Sequence, residues 1–244
     1  MKLEHALRLY TRRQALRALG TLPAAALFGC DRDLSLQTDA IAASIPGCVL
    51  RPEQTEGPYF IDEKLNRSDI RADPSDKSIK PGVPLRLEFQ VSTVTANSCS
   101  PLARAIVDVW HCDAIGVYSD VQDSVADSRG KKFLRGYQVT DEKGIANFLT
   151  VYPGWYEGRA VHVHFKIRTS PSAKPGLDFT SQLYFDDSIT DRVHSVAPYQ
   201  SKGRRTVTNA RDSIFRRGGN QLIPELIKDE QGYVAKFAIG LRIA

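Results

Sequence analysis

The chain has 244 residues, with 33 Lys and Arg against 28 Asp and Glu and a net charge of +5. Residues 1–29 hold Lys2, Arg8, Arg12, Arg13 and Arg17 against Glu4; without them the rest of the chain has 28 basic and 27 acidic residues, a net of +1. A nearly neutral body offers no basic face for nucleic acid, and 42% hydrophobic with 25% charged residues excludes general disorder.

In chain order, residues 1–29 read as an export leader: a basic region, then an apolar stretch from Ala18 to Phe28. That stretch is shorter than the roughly 20 residues a spanning helix needs. Arg12-Arg13 after Thr11 resembles a twin-arginine export signal, and Leu27-Phe28-Gly29-Cys30 resembles a lipobox with Cys30 as the lipidated residue. Residues 30–46 read as a tether and 47–244 as the body, long enough for one substantial core. The expected location is exported, periplasmic or otherwise extracytoplasmic, with membrane contact only through that lipid.

Strand periodicity dominates the body. Pro84–Val94 alternates through Leu85, Leu87, Phe89 and Val91, and Ala105–Trp110 alternates in the same way. Further short runs are Tyr137–Thr140, Ile145–Thr150, Val161–Arg168 and Ser181–Phe185. Leu222–Ile227 and Tyr233–Ile243 read as a hairpin around Asp229-Glu230-Gln231-Gly232, and Asp191–Val196 as a short turn of helix. Many short strands with regular turns predict an all-β fold, a β-sandwich of two mainly antiparallel sheets with long loops at 60–82 and 119–134.

Setting Cys30 aside, Cys48, Cys99 and Cys112 allow one bridge at most. Cys99 and Cys112 flank the apparent strand 103–111, which would hold them apart, so a bridge from Cys48 to one of the two is favoured. Three unpaired core thiols are the alternative.

The chemistry concentrates at His162-Val163-His164. On a strand, residues i and i+2 share a face, so both imidazoles can reach one metal ion. No carboxylate stands beside the pair in a compact motif, as a ferrous facial triad would require, and no Cys pair has zinc-site spacing. Tyr156 lies just ahead of the pair, and Tyr118 follows the Trp110 strand.

The chain carries Thr55-Glu56-Gly57-Pro58-Tyr59-Phe60, Val107-Asp108-Val109-Trp110 leading to Tyr118, and Leu134-Arg135-Gly136. Thr140-Asp141 with Gly144, Pro153-Gly154-Trp155-Tyr156, Arg159, the His pair and Gln182 follow in that order. By this ordered set, over roughly residues 48–240, the sequence resembles the intradiol ring-cleavage dioxygenases, a family that includes catechol and protocatechuate 3,4-dioxygenases. The resemblance implies Fe(3+) held by Tyr118, Tyr156, His162 and His164, and a catechol-type substrate opened with O2 between its two hydroxylated carbons to a cis,cis-muconate-type product. Two phenolates and a hydroxide would offset the ferric charge and let the site lie in an apolar cavity. Tyr156 is the implied proton acceptor, Arg159 and Gln182 line the reacting ring, and Tyr59 and Phe60 are candidates for the substrate pocket. His111-Cys112 departs from the family's Gln-Ala after the tryptophan.

Two competing expectations remain. A non-catalytic carboxypeptidase-regulatory-like or transthyretin-like binding sandwich would share the strands without needing Tyr118, His162 and His164 together. A zinc or copper enzyme would use the His pair with other ligands.

Overall fold

Alternation along Pro84–Val94 decides the inner layer. In the computed structural model, which describes residues 48–122, 126–169 and 176–242, this segment is the long strand β1, with Leu85, Leu87, Phe89 and Val91 all buried. The leader, the tether and Cys30 lie outside the described residues.

Eight further strands follow: β2 (Cys99–Pro101), β3 (Ile106–Trp110), β4 (Arg135–Val139), β5 (Ile145–Val151), β6 (His162–Arg168), β7 (Asp178–Tyr184), β8 (Glu225–Lys228) and β9 (Tyr233–Arg242). β1 carries β9 along one edge, in parallel, and β5 and β2 end to end along the other, both antiparallel. β8 closes that sheet antiparallel to β9, so the expected terminal hairpin forms, with its first strand starting at Glu225 rather than Leu222. The second sheet runs β4-β3-β6-β7 and is antiparallel throughout. This is the predicted all-β sandwich. Its core lies between the sheets, where Phe165 of β6 packs on Phe89 of β1 and Phe237 of β9 with ring centroids 5.3 and 5.6 Å apart.

Helix is scarce. α1 spans Asp187–His194, four residues ahead of the expected start, because Asp186 caps it by accepting from the Ser188 and Ile189 amides. The segment 48–83 forms no strand of its own. Part of it crosses the outer face of the second sheet, held by Gln54 N–H donating to Thr180 O and by ion pairs Glu56–Lys166 and Asp62–Arg168.

Cys48 and Cys99 form the disulfide, which resolves the open choice, and Cys112 is a buried free thiol. The bridge ties the start of the described chain to β2, next to the Gly240 N–H donating to Val49 O. With the two cysteines 51 positions apart, the bridge removes much unfolded-chain entropy, about 2–4 kcal/mol. The Cys48→Ser, Cys99→Ser double variant is therefore expected to unfold at lower denaturant with an unchanged fold, checked by urea titration followed by tryptophan fluorescence. Unaltered stability would mean that the bridge constrains nothing.

Candidate metal centre

The pleat of β6 builds the centre. Val163, Phe165 and Ile167 enter the core, so His162, His164, Lys166 and Arg168 take the opposite face. Strand register then sets a cross-sheet row on that face. Trp110 of β3 and Gln182 of β7 flank His164, and Arg135 of β4 lies beyond Trp110. Trp110 stacks on the His164 ring at 5.0 Å and 9°. Both histidines are nonetheless buried: Gly57 of the 50–62 segment lies against the His164 ring, and Tyr156, Arg159 and Tyr184 surround His162.

Tyrosines arrive from two loops. Asp113 shapes the first, its carboxylate accepting from the Ile115 and Val117 amides and from Lys80 Nζ. The second, Pro153–Tyr156, docks onto the first through two glycines. A Cβ on Gly154 would lie 2.4 Å from Ala114 O, and one on Gly116, at φ +84°, 2.2 Å from Trp155 O. Only glycine permits this approach, which sets the Tyr118 and Tyr156 rings 5.7 Å apart.

The donor atoms converge. His162 Nδ1 donates to Ala160 O at 2.7 Å, which leaves the Nε2 lone pair facing inward. His162 Nε2 lies 2.9 Å from His164 Nε2 and 3.2 Å from the Tyr156 hydroxyl. The Tyr118 hydroxyl is buried without a hydrogen-bond partner in good geometry. Burial, reinforced by Arg159, drops the His162 pKa to about 3, and burial with the neighbouring His162 holds His164 well below its ordinary value. Both are neutral ligands at pH 7. Burial likewise raises both phenols. Two inward imidazole nitrogens with two phenol oxygens, one of them orphaned, fit a hard, highly charged cation that would deprotonate the phenols. Among the described residues no three His, Cys, Asp or Glu side chains gather as a metal site, so the zinc or copper alternative finds no third ligand of those types.

Arg159 borders this set, its Nη1 3.5 Å from His162 Nε2. Nη2 donates to Gln182 Oε1 at 2.6 Å, and Gln182 Nε2 donates to Thr55 O. Nε pairs with Asp212 at 2.9 Å. Tyr59 stacks on Tyr118 at 4.4 Å and meets Tyr156 edge-on. Phe60 instead packs on Trp110 at 4.8 Å, beneath Lys166 Nζ. His111 is core-bonded, between Cys112 O and the Thr150 hydroxyl. Sequence reasoning missed Asp113, Asp212 and Tyr184, whose hydroxyl accepts from Arg159 Nη2 at 3.3 Å and donates to Gln182 Oε1 at 3.0 Å. Asp212 stands 53 residues beyond Arg159 with no motif around it, and only the fold joins them.

The Asp212 carboxylate accepts from Arg159 Nε and from the Ala160, Ile214 and Phe215 amides. Burial alone would raise its pKa, but these amides and Arg159 together hold it below the ordinary value. Its contribution to stability is therefore full above the unfolded pKa of about 4 and lost as pH falls through the folded value.

A family model described as Dioxygenase matches residues 55–206, which include every sequence-predicted ligand but not Asp212. The chlorocatechol 1,2-dioxygenase of Pseudomonas sp. (strain P51) is 31% identical over 161 residues, covering 59% of this chain and 60% of that protein. A chlorocatechol 1,2-dioxygenase of Pseudomonas putida is 30% identical over 128 residues, covering 43% and 46%. The chain thus spans 60% or less of the length of these curated relatives. Among solved structures, an intradiol ring-cleavage dioxygenase from Tetranychus urticae superposes with a TM-score of 0.66 at 32% identity, covering 80% of this chain and 95% of that one.

Removing the Asp212 charge strands the Arg159 guanidinium, so Asp212→Asn is expected to cost about 3–5 kcal/mol at pH 7. The gap from wild type should narrow as pH falls below about 4, where the carboxylate of the unfolded wild type takes up its proton, and further as pH falls through the lower folded value. Urea titrations of both proteins at pH 7 and pH 3 check this; a gap independent of pH would show that the carboxylate's charge does not matter.

Proposed function

This chain belongs to the intradiol ring-cleavage dioxygenase family, and we propose that it is a non-haem ferric enzyme that opens a catechol-type ring with O2 between the two hydroxylated carbons. The product would be a cis,cis-muconate-type diacid carrying both atoms of O2. The observation that supports this most is the convergence of Tyr118, Tyr156, His162 and His164 on one buried point. A binding module built on the same strands would have no use for that convergence.

Those four residues would hold the ion; the chemistry ferric iron supplies when bound is withdrawal of electron density from a catecholate, which makes the ring reactive towards O2. The protein's own groups do the rest. Tyr156 is the more exposed phenol, and burial makes its phenolate strongly basic, so it suits the uptake of a catechol hydroxyl proton. Arg159, fixed by Asp212 and Gln182, presents a cation at the edge of the donor set, where charge grows on the substrate. Tyr59 supplies an aromatic wall beside both tyrosines, and Phe60 supports Trp110 behind His164.

Export through the twin-arginine route is part of the same proposal. That route carries folded proteins, and the Cys48–Cys99 bridge suits an oxidising compartment. Lipidation at Cys30 would then anchor the enzyme.

Loaded with ferric iron, the protein is expected to turn reddish through tyrosinate-to-iron charge transfer and to take up O2 with at least one of catechol, protocatechuate, hydroxyquinol or a substituted catechol. A colourless protein that stays inactive after loading would end this proposal. Tyr118→Phe should weaken the absorption band; an unchanged spectrum would remove Tyr118 from the ligand set. Replacing Arg12 and Arg13 by Lys should hold the protein in the cytoplasm, and undiminished export in fractionated cells would refute the twin-arginine assignment.

A further inference from the structure

The net charge of +1 over residues 30–244, read from the sequence as leaving no basic face, conceals a separation of charge. The connection from α1 to β8, residues 195–224, holds six Lys and Arg against the single acid Asp212, a net of +5. The rest of residues 30–244 then has 22 basic and 26 acidic residues, a net of −4. Asp212 is buried and committed to Arg159. Two of the six cations are committed as well: Arg205 pairs with Asp187 and Asp191, and Lys202 Nζ donates to Ile115 O above the Trp155 ring. Arg204, Arg211, Arg216 and Arg217 are exposed and form no ion pair among the described residues.

These four lie where the connection touches the donor set and its surroundings. Gly203 O accepts from the indole N–H of Trp155, next to Tyr156, at 3.2 Å, and Arg204 follows Gly203. Arg211 precedes Asp212, which holds Arg159. Phe215 packs edge-on against Tyr184 at 5.0 Å, Ile214 O accepts from Gln54 Nε2 of the covering segment, and Arg216 and Arg217 come next. On the loop that carries Tyr156 and Arg159, Glu157 is the exposed acid, one charge against four. Like charges grouped beside a site raise the local concentration of a ligand of opposite sign without touching it. Their reach is about 30 Å at 0.01 M salt and about 10 Å at 0.1 M.

We infer that the α1–β8 connection is an electrostatic guide that favours catechols carrying an anionic substituent, a carboxylate above all, over neutral ones. The inference rests on the function proposed above, and names the class of catechol. The two anchor points of the connection are Trp155 and Arg159, so the ligand it serves is the one bound between them and the donor set. The substituent stays outside the donor set, and its attraction to the arginines acts through solvent, which makes it sensitive to salt.

The test is anaerobic binding of protocatechuate, an anion at pH 7, and of neutral catechol to the iron-loaded full chain, followed by the charge-transfer band. Between about 0.01 and 0.5 M NaCl the Kd for protocatechuate is expected to rise roughly threefold to tenfold, and that for catechol by less than about twofold. Replacing Arg204, Arg211, Arg216 and Arg217 together by Gln is expected to remove most of this difference. Lys143→Gln alters an exposed cation in the turn after β4, at the opposite end of the second sheet from Trp110 and Arg135, and is expected to preserve it. Equal salt dependence for the two ligands in the wild type overturns the inference, as does binding of catechol without protocatechuate. A quadruple variant that keeps the difference, or a Lys143→Gln variant that loses it, overturns it equally. A wild type with no band, or with a band that neither ligand alters, is a separate failure, that of the ferric reading itself.

Discussion

The two-residue pleat of β6 is the constraint on which the centre depends. Val163, Phe165 and Ile167 are inserted between the sheets, and Phe165 touches rings from two strands of the other layer. A slip of one residue would send His162, His164, Lys166 and Arg168 into that core, at a cost no side-chain rearrangement could offset. The apolar half of the strand therefore fixes where the imidazoles point. Antiparallel register carries the constraint sideways, because residues paired across strands share a face. Arg135, Trp110, His164 and Gln182 are thus aligned by backbone hydrogen bonds before any side chain meets a ligand.

A sheet face bearing two histidines would ordinarily face water. Here the 50–62 segment covers it, and the cover is held mainly by polar contacts. Lys166 and Arg168 pair with Glu56 and Asp62, while Gln182 and Tyr184 hold Thr55 and Gln54. The outward residues of β6 and β7 consequently divide between two roles. His162 and His164 face the centre, and the others fasten the segment that covers it. This cover lies on His164, and with Tyr156 and Tyr184 around His162 it accounts for the burial of both rings and for their depressed pKa values.

Much of this was legible because it is local. The i, i+2 histidines, the alternation of β1 and the glycines beside Trp155 each carry a signature within a few residues. What escaped is what only distant pairing creates. β1 lies parallel to β9, residue for residue from Leu85 with Tyr233 to Val94 with Arg242, and nothing in either run states its partner. Asp212 reaches Arg159 from a segment without strand or motif, and of the two partners the sequence left open for Cys48 it is Cys99 that the fold brings near, where the Gly240 N–H donates to Val49 O. The start of α1 was missed for the opposite reason. Its signal, Asp186 ahead of Ser188, is local but weak against the strand that ends just before it.

The choice of donors has its own electrostatic logic. Four carboxylates in such a place would repel one another and demand compensation wherever the chain folded. Two phenols and two imidazoles are neutral when buried, since burial raises the one pair and lowers the other. The set can therefore be enclosed between a sheet and its covering segment at little electrostatic cost. That cost is deferred to the loading of a cation, which must displace two phenolic protons into water. A divalent ion is poorly matched to this donor set, because two phenolates would already cancel its charge while the protons remained expensive to remove. A trivalent ion leaves a unit of positive charge to drive the step, and the Arg159 guanidinium lowers its cost by favouring the ionised phenols. The ferric ion proposed for this centre would thus be selected as much by the neutral donors' reluctance to ionise as by their hardness.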